Sequence, residues 1–304
     1  MLINVIFTTH AETFTSFLMN LVNFQLFDPS EFLIEHFPVK ESDALNDHFD
    51  ASGYESSDSV LNLGAVFILM IIAPILLAVI FLAGKCCCCA AVRRIVNNQL
   101  RKTVFNRIII FLEGIMIMAT TCSWINIHRV YKDVLEPYFS FYFSCGVLSF
   151  FCIFSSVLVG YLVCKFSALD DPQVRARIGS AYENFDANKM NRIGKKVFLL
   201  TFFQMVRRVL LGYSITFGQD NIFIQFMAVN FSSLLLIGLL GTFKPYENSN
   251  AMEIGNEFMV LIVFSLLTCQ TDLLTVMKGR SIIGWCLIGV ISLSVFVNFS
   301  YIML

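Results

Sequence analysis

The twenty-three residues from Lys195 to Phe217, KKVFLLTFFQMVRRVLLGYSITF, constrain this chain more than any other stretch. They form an apolar run long enough to cross a bilayer, with Arg207 and Arg208 near its middle. At 1.5 Å per residue Arg207 lies about 15 Å in from Val197, roughly half of a ~30 Å hydrocarbon core. A cation at that depth costs at least ~2.5–3.5 kcal/mol, so it must face a protein interior, a water-filled cavity or an acidic partner. The alternative is an amphipathic segment, Val197 to Arg208, lying on the cytoplasmic surface with its arginines at headgroup level. Val209 to Phe217 would then be too short to span alone.

Of the 304 residues 57% are hydrophobic and 14% charged, too apolar for a water-soluble domain. The expected fold is all-α, a polytopic transmembrane helix bundle. The N-terminal stretch has no basic n-region and contains Asn4, His10 and Glu12, so it does not read as a cleavable signal peptide. All ten cysteines lie in or beside apolar runs, which gives no disulfide framework for an ectodomain.

Two regions follow: 1–60, an N-terminal apolar helix and an acidic loop, and 61–304, the transmembrane domain. Residues 1–27 are apolar but broken by His10, Glu12, Asn20, Asn23 and Gln25, and read either as a membrane-embedded or as an interfacial helix. The chain opens inside this apolar segment, as a protein missing an N-terminal part or a shortened relative of a longer protein would. Residues 28–60 carry nine acidic residues against Lys40, either a vestibule that concentrates cations or a solvated charged loop. His36 and His48 have no further ligands at metal spacing and read as surface histidines.

Seven spans are predicted, near 61–84, 108–127, 139–166, 197–217, 222–243, 258–277 and 282–304, plus the N-terminal helix if it crosses. Basic residues divide twelve to five between the two sets of loops. That places the acidic loop outside the cytoplasm, in a multi-pass protein of the plasma membrane or another endomembrane. Cys86, Cys87, Cys88 and Cys89 follow the first span and precede Arg93, Arg94, Arg101 and Lys102, the pattern of a juxtamembrane palmitoylation cluster over an anionic leaflet. Metal binding is the competing reading, but consecutive cysteines are poorly directed for a tetrahedral site.

Glu113, Glu257 and Asp272 lie within apolar runs or at their edges. Glu113 is about one and a half turns in from the cytoplasmic end, the expected counter-ion for Arg207 or Arg208. Arg107 precedes Glu113 by six positions, which does not put the two on one helical face. The chain lacks a glycine-rich phosphate loop, G-x-S-x-G and H-E-x-x-H, so it reads as a non-enzyme without cofactor or metal. Burial in lipid leaves no role with nucleic acid; the bilayer is the partner, with a homo-oligomer or other membrane subunits left open.

Gly179, Tyr182 and Glu183 precede the Arg207–Arg208 span, and Lys244, Pro245 and Tyr246 lead to Glu253, Asn256 and Glu257 before the next. In this order the residues resemble the C-terminal polytopic membrane region of transient-receptor-potential-like (TRP-like) proteins and of large cysteine-rich surface proteins of ciliated protists. The resemblance covers roughly residues 14–277. It implies a membrane module with a channel-like or transporter-like role; the alternative is a non-conducting membrane anchor or receptor module of a surface protein. The chain departs from the longer relatives in lacking cysteine-rich repeats, and no selectivity-filter sequence lies between two spans.

The cysteine cluster gives a direct test. Thioester-specific acyl exchange should shift the mass of the wild type and leave a variant with serine at 86–89 unshifted; no shift in either removes acylation.

Overall fold

The structure, a computed structural model, describes residues 29–39, 42–45, 47–50, 54–86, 105–132, 138–169, 178–182, 193–218, 221–246, 250–269 and 277–303, with the single positions 171, 174 and 185. Among the described residues it is all-helical, with one isolated antiparallel bridge between Phe185 and Tyr246. Three short helices come first: α1 (Ser30–His36), α2 (Asp47–Asp50) and α3 (Ser59–Leu63). Seven long ones follow: α4 (Ala65–Cys86), α5 (Phe105–Lys132), α6 (Phe139–Cys164), α7 (Phe198–Phe217), α8 (Ile222–Phe243), α9 (Asn250–Cys269) and α10 (Met277–Met303). The six from α5 to α10 are long and apolar enough to cross a bilayer, so the chain is a multi-pass membrane protein.

Where the sequence predicts a first span at Leu61–Gly84, the structure divides it. Leu61–Leu63 belong to α3, Gly64 breaks the helix at φ +46°, and α4 begins at Ala65. That left-handed conformation is open to glycine at no steric cost, which is why the break falls there. Phe105–Lys132 outruns its predicted span at both ends and takes in His128 and Arg129. The largest shift is in α9, which starts at Asn250, eight residues before the predicted 258. Its first turns are polar and read as loop from sequence, yet Asn250 and Tyr246 exchange side-chain-to-backbone hydrogen bonds that launch the helix. The predicted N-terminal helix, Asp272 and Cys87–Cys89 lie outside the described residues, as does the side chain of Cys86, which closes α4.

A three-helix core of α5, α6 and α7 carries the main apolar cluster, including Met116, Phe151, Leu162, Phe198 and Met205. Helix α8 packs on α7, α9 on α8, and α10 on α9, with Leu267 against Leu287 in the last interface. Helices α7 and α5 approach closely at Gly212, where a β-carbon would sit 3.2 Å from Thr121 Oγ1 and from Trp124 Cδ1. Small residues allow such approach between membrane helices, and dispersion contacts reward it.

At one end of this core, α3 inserts between α5 and α6, and Ser56 to Val60 are all buried. The burial is met by hydrogen bonds. Asp58 caps α3, its carboxylate accepting from the Val60 and Leu61 amides at 2.8 and 3.3 Å and from Ser140 Oγ at 2.7 Å. Ser144 donates to Ser59 Oγ (2.8 Å), and Asn126 donates to the Ser57 carbonyl and to the Tyr138 hydroxyl (3.1 and 2.8 Å). Of the acidic stretch, Glu31, Glu35, Asp43, Asp50 and Glu55 are exposed, but Glu31 and Glu35 lie on α1 and Asp50 on α2 rather than in a loop, and Asp58 is a buried structural cap. His36 is exposed and bonds the Phe32 carbonyl of its own helix.

Asp58 generates a prediction. Asp58→Ala should lower stability by at least about 1–2 kcal/mol, the usual effect of losing a cap, while Asp58→Asn, which still caps, should fall in between. Thermal unfolding of the detergent-solubilised chain orders the three proteins; an alanine variant as stable as the wild type would show that the plug is held by packing alone.

Candidate functional site

The tenth residue of α7 is Arg207, and its side chain is only 11% exposed. Each nitrogen of its guanidinium is engaged: Nη1 with Glu257 Oε1 at 2.8 Å, Nη2 with Ser233 Oγ at 2.7 Å, and Nε with Ser232 Oγ at 3.2 Å. The Ser232 hydroxyl donates a hydrogen bond to the Val229 carbonyl, leaving its oxygen free to accept from Nε. Arginine suits this position because its planar fork presents donors in fixed directions to several acceptors at once.

Arg208 is turned about 100° around the helix from its neighbour and points the other way. Its Nη1 donates to the main-chain carbonyl of Glu113 on α5 at 2.7 Å. One residue on, the Trp124 indole of α5 donates to the Val209 carbonyl at 3.2 Å. The two adjacent arginines therefore bind opposite neighbours, Arg208 the three-helix core and Arg207 the α8–α9 pair.

The expected counter-ion is the Glu113 carboxylate; the carboxylate that Arg207 meets is Glu257, while Arg208 hydrogen-bonds Glu113 at its backbone and lies within electrostatic reach of its carboxylate. Two geometric facts account for the difference. Starting α9 at Asn250 carries Glu257 two turns into a helix, and the angle between successive residues on α7 sends Arg207 away from α5. Glu257 is 15% exposed; its second oxygen, Oε2, is buried and has no hydrogen-bond partner among the described residues. Glu253, four positions earlier on the same helix, adds a second carboxylate to that face, within electrostatic reach of Glu257.

The family-like motif residues fall into two groups. Gly179 opens a 3₁₀ turn, Gly179–Ala181, that packs on α5, and the Tyr182 hydroxyl donates to the Leu169 carbonyl at 2.8 Å. Pro245 and Tyr246 are buried at the α8–α9 turn, where Tyr246 hydrogen-bonds Gln204 and packs against Phe185. Burial pushes the Tyr246 phenol above its ordinary range, and the Gln204 side-chain hydrogen bond acts the other way. Asn256 joins α10 through a reciprocal amide pair with Asn298, at 3.1 and 2.9 Å. Glu183 lies outside the described residues.

Ser232, Ser233 and Asn298 are participants that the sequence does not mark as partners of the arginine-bearing and following spans; Ser232 and Asn298 stand out there only as members of two sequons, Asn230-Phe231-Ser232 and Asn298-Phe299-Ser300, inside spans. Their signal is position: each is a hydrogen-bonding side chain inside an apolar run, where a partner is needed. Among the described residues no group of three or more His, Cys, Asp or Glu side chains is placed to hold a metal ion. No protein-family model, curated protein or solved structure matches the chain.

Arg207→Leu or Glu257→Leu alone should cost about 3–5 kcal/mol by stranding a buried charge, and the double variant should recover most of it. Glu113→Gln, which keeps the backbone carbonyl, should behave like the wild type. Monodispersity after detergent extraction reads all four, and wild-type behaviour of both leucine singles would place the arginine side chain outside the bundle.

Proposed function

We propose that the chain is a channel-like or transporter-like membrane module of the TRP-like kind, with α4 as a seventh span beside α5–α10. The observation that supports this reading is the split engagement of the arginine pair. Helix α7 is a charged element between two helix groups, bound to α5 by Arg208 and to α8 and α9 by Arg207. A translation or rotation of α7 relative to α5 would carry α8 and α9 with it, which is the arrangement a gated pathway requires. Ionisable side chains inside membrane segments are costly, face the bundle interior, and are among the features of ion and substrate pathways.

The division of basic residues places the acidic loop on the extracytoplasmic side in this reading, and the Cys86 end in the cytoplasm. The chain carries out no enzymatic reaction and needs no cofactor. A non-conducting anchor or receptor module is the second reading, favoured by the full engagement of Arg207, which can equally be a static staple between helices.

Liposome reconstitution separates the two. A conducting protein should dissipate an imposed potassium gradient faster than empty vesicles do, and the Arg207→Leu/Glu257→Leu double variant should alter that rate while remaining folded. A wild-type flux equal to that of empty vesicles would establish the anchor reading.

A further inference from the structure

At the end of the bundle that carries the Tyr182 and Tyr246 turns, every helix from α5 to α8 has an exposed cation at its terminus. Arg107 is the third residue of α5, and Lys165 is the C-cap of α6. Lys195 and Lys196 lie in the 3₁₀ turn Gly194–Val197 that runs into α7, and Lys244 is the C-cap of α8. All five side chains are exposed, and none forms an ion pair with a described residue. The opposite termini of the same helices carry Arg129 and Lys132 on α5, while α6, α7 and α8 have uncharged Tyr138, Gly218 and Asn221 as their caps. Because α7 packs on α5, α6 and α8, these cations sit at the corresponding termini of neighbouring helices.

Lys244 adds a second observation. It is the one residue other than glycine with positive φ among the described residues, at φ 44° and ψ 55°. Glycine commonly fills such a left-handed position at a helix C-terminus, and a residue with a β-carbon there is strained. The chain accepts that strain and presents a long cationic side chain instead. Each of three cation positions also has an exposed apolar side chain three or four residues into its span: Ile110 beyond Arg107, Tyr161 before Lys165, and Leu199 beyond Lys196. A cation above an exposed apolar patch matches a phosphate headgroup joined to acyl chains, and a free anion would use only half of it.

We propose that this end of the bundle binds anionic phospholipid headgroups, with Lys195 and Lys196, at the start of the arginine-bearing helix, as the central pair. The site is a lipid-facing surface of α5–α8 and is distinct from the Arg207–Glu257 contact. Its lipid specificity is for charge, since lysine on a flexible stem meets a phosphate as a point charge and does not impose a fixed geometry.

The test uses the full chain in detergent, titrated with dioctanoyl phosphatidylserine, dioctanoyl phosphatidylcholine or inorganic phosphate, with bound lipid counted by native mass spectrometry. The wild type should prefer phosphatidylserine over phosphatidylcholine. In Lys195→Gln/Lys196→Gln the phosphatidylserine affinity should fall about thirtyfold, the factor expected for removing two surface cations. Lys195→Arg/Lys196→Arg and Lys132→Gln, at the opposite end, should bind as the wild type does. Lys165→Gln/Lys244→Gln provides a second loss variant should the first fail to fold. Equal binding of the two lipids, or a monodisperse glutamine variant that retains phosphatidylserine, would overturn the proposal. Displacement of bound phosphatidylserine by an equal concentration of inorganic phosphate would overturn it in favour of a free-anion site.

Discussion

Keeping a guanidinium inside an apolar bundle is the constraint on which the rest of this architecture depends. Uncompensated, the charge would cost more than any single helix contact could offset. Satisfying Arg207 takes a carboxylate and two hydroxyls arriving from fixed directions, and each imposes something on a neighbour. Ser232 and Ser233 fix the rotation of α8, since successive residues must both face α7. Glu257 fixes the register of α9 and requires its first two turns to be helical although they are polar. With Arg207 committed to that side, Arg208 can only face α5, and it finds a main-chain carbonyl there.

The other end of the bundle solves the same problem of polar burial with mostly neutral groups. Around Asp58 the partners are backbone amides, serine hydroxyls and the Asn126 carboxamide, drawn from α3, α5 and α6. Hydrogen bonds between such groups are strong in a low-dielectric interior only when every member is satisfied. That condition explains the run of small residues: Ser57, Ser59, Ser140 and Ser144 are compact enough to bring three backbones together while each finds an acceptor or donor. A helix of five residues is far too short to be stable alone, and α3 exists because its cap and its neighbours hold it.

The long apolar runs made the bundle legible from the sequence, because nothing but helix length and hydropathy is needed to find a membrane span. What stayed hidden depended on rotation. Glu113 and Glu257 both read as carboxylates near the same end of the bundle, and sequence depth favours Glu113, about one and a half turns in, over Glu257 at the start of a predicted span. The choice rests on which way two adjacent arginines point, and that is settled by the packing of α7 at Gly212 and Trp124. Asn250–Glu257 was hidden for a different reason: its polarity is that of a loop until Arg207, Tyr246 and Asn298 supply partners. Asp58 carried a readable signal, an aspartate directly before an apolar run, but its place among other acids made it look like one more solvated charge.

The polar contacts along the second half of the chain form a graded series, and the gradient says where the bundle is most easily rearranged. From α5 to α10 they run through Arg208 and the Glu113 carbonyl, then Arg207 and Glu257, then Asn256 and Asn298. A broken buried ion pair costs about 3–5 kcal/mol, whereas a neutral hydrogen bond between membrane helices contributes about 0.6 kcal/mol on average. The α7–α9 contact is therefore less forgiving of a single substitution than the asparagine pair, because losing one partner strands a charge. Helix α10 packs chiefly on α9 and turns most of its surface outward, so little else holds it. At the asparagine pair the loss of either partner leaves only a neutral amide behind, so substitution there disturbs the bundle less than substitution at Arg207 or Glu257.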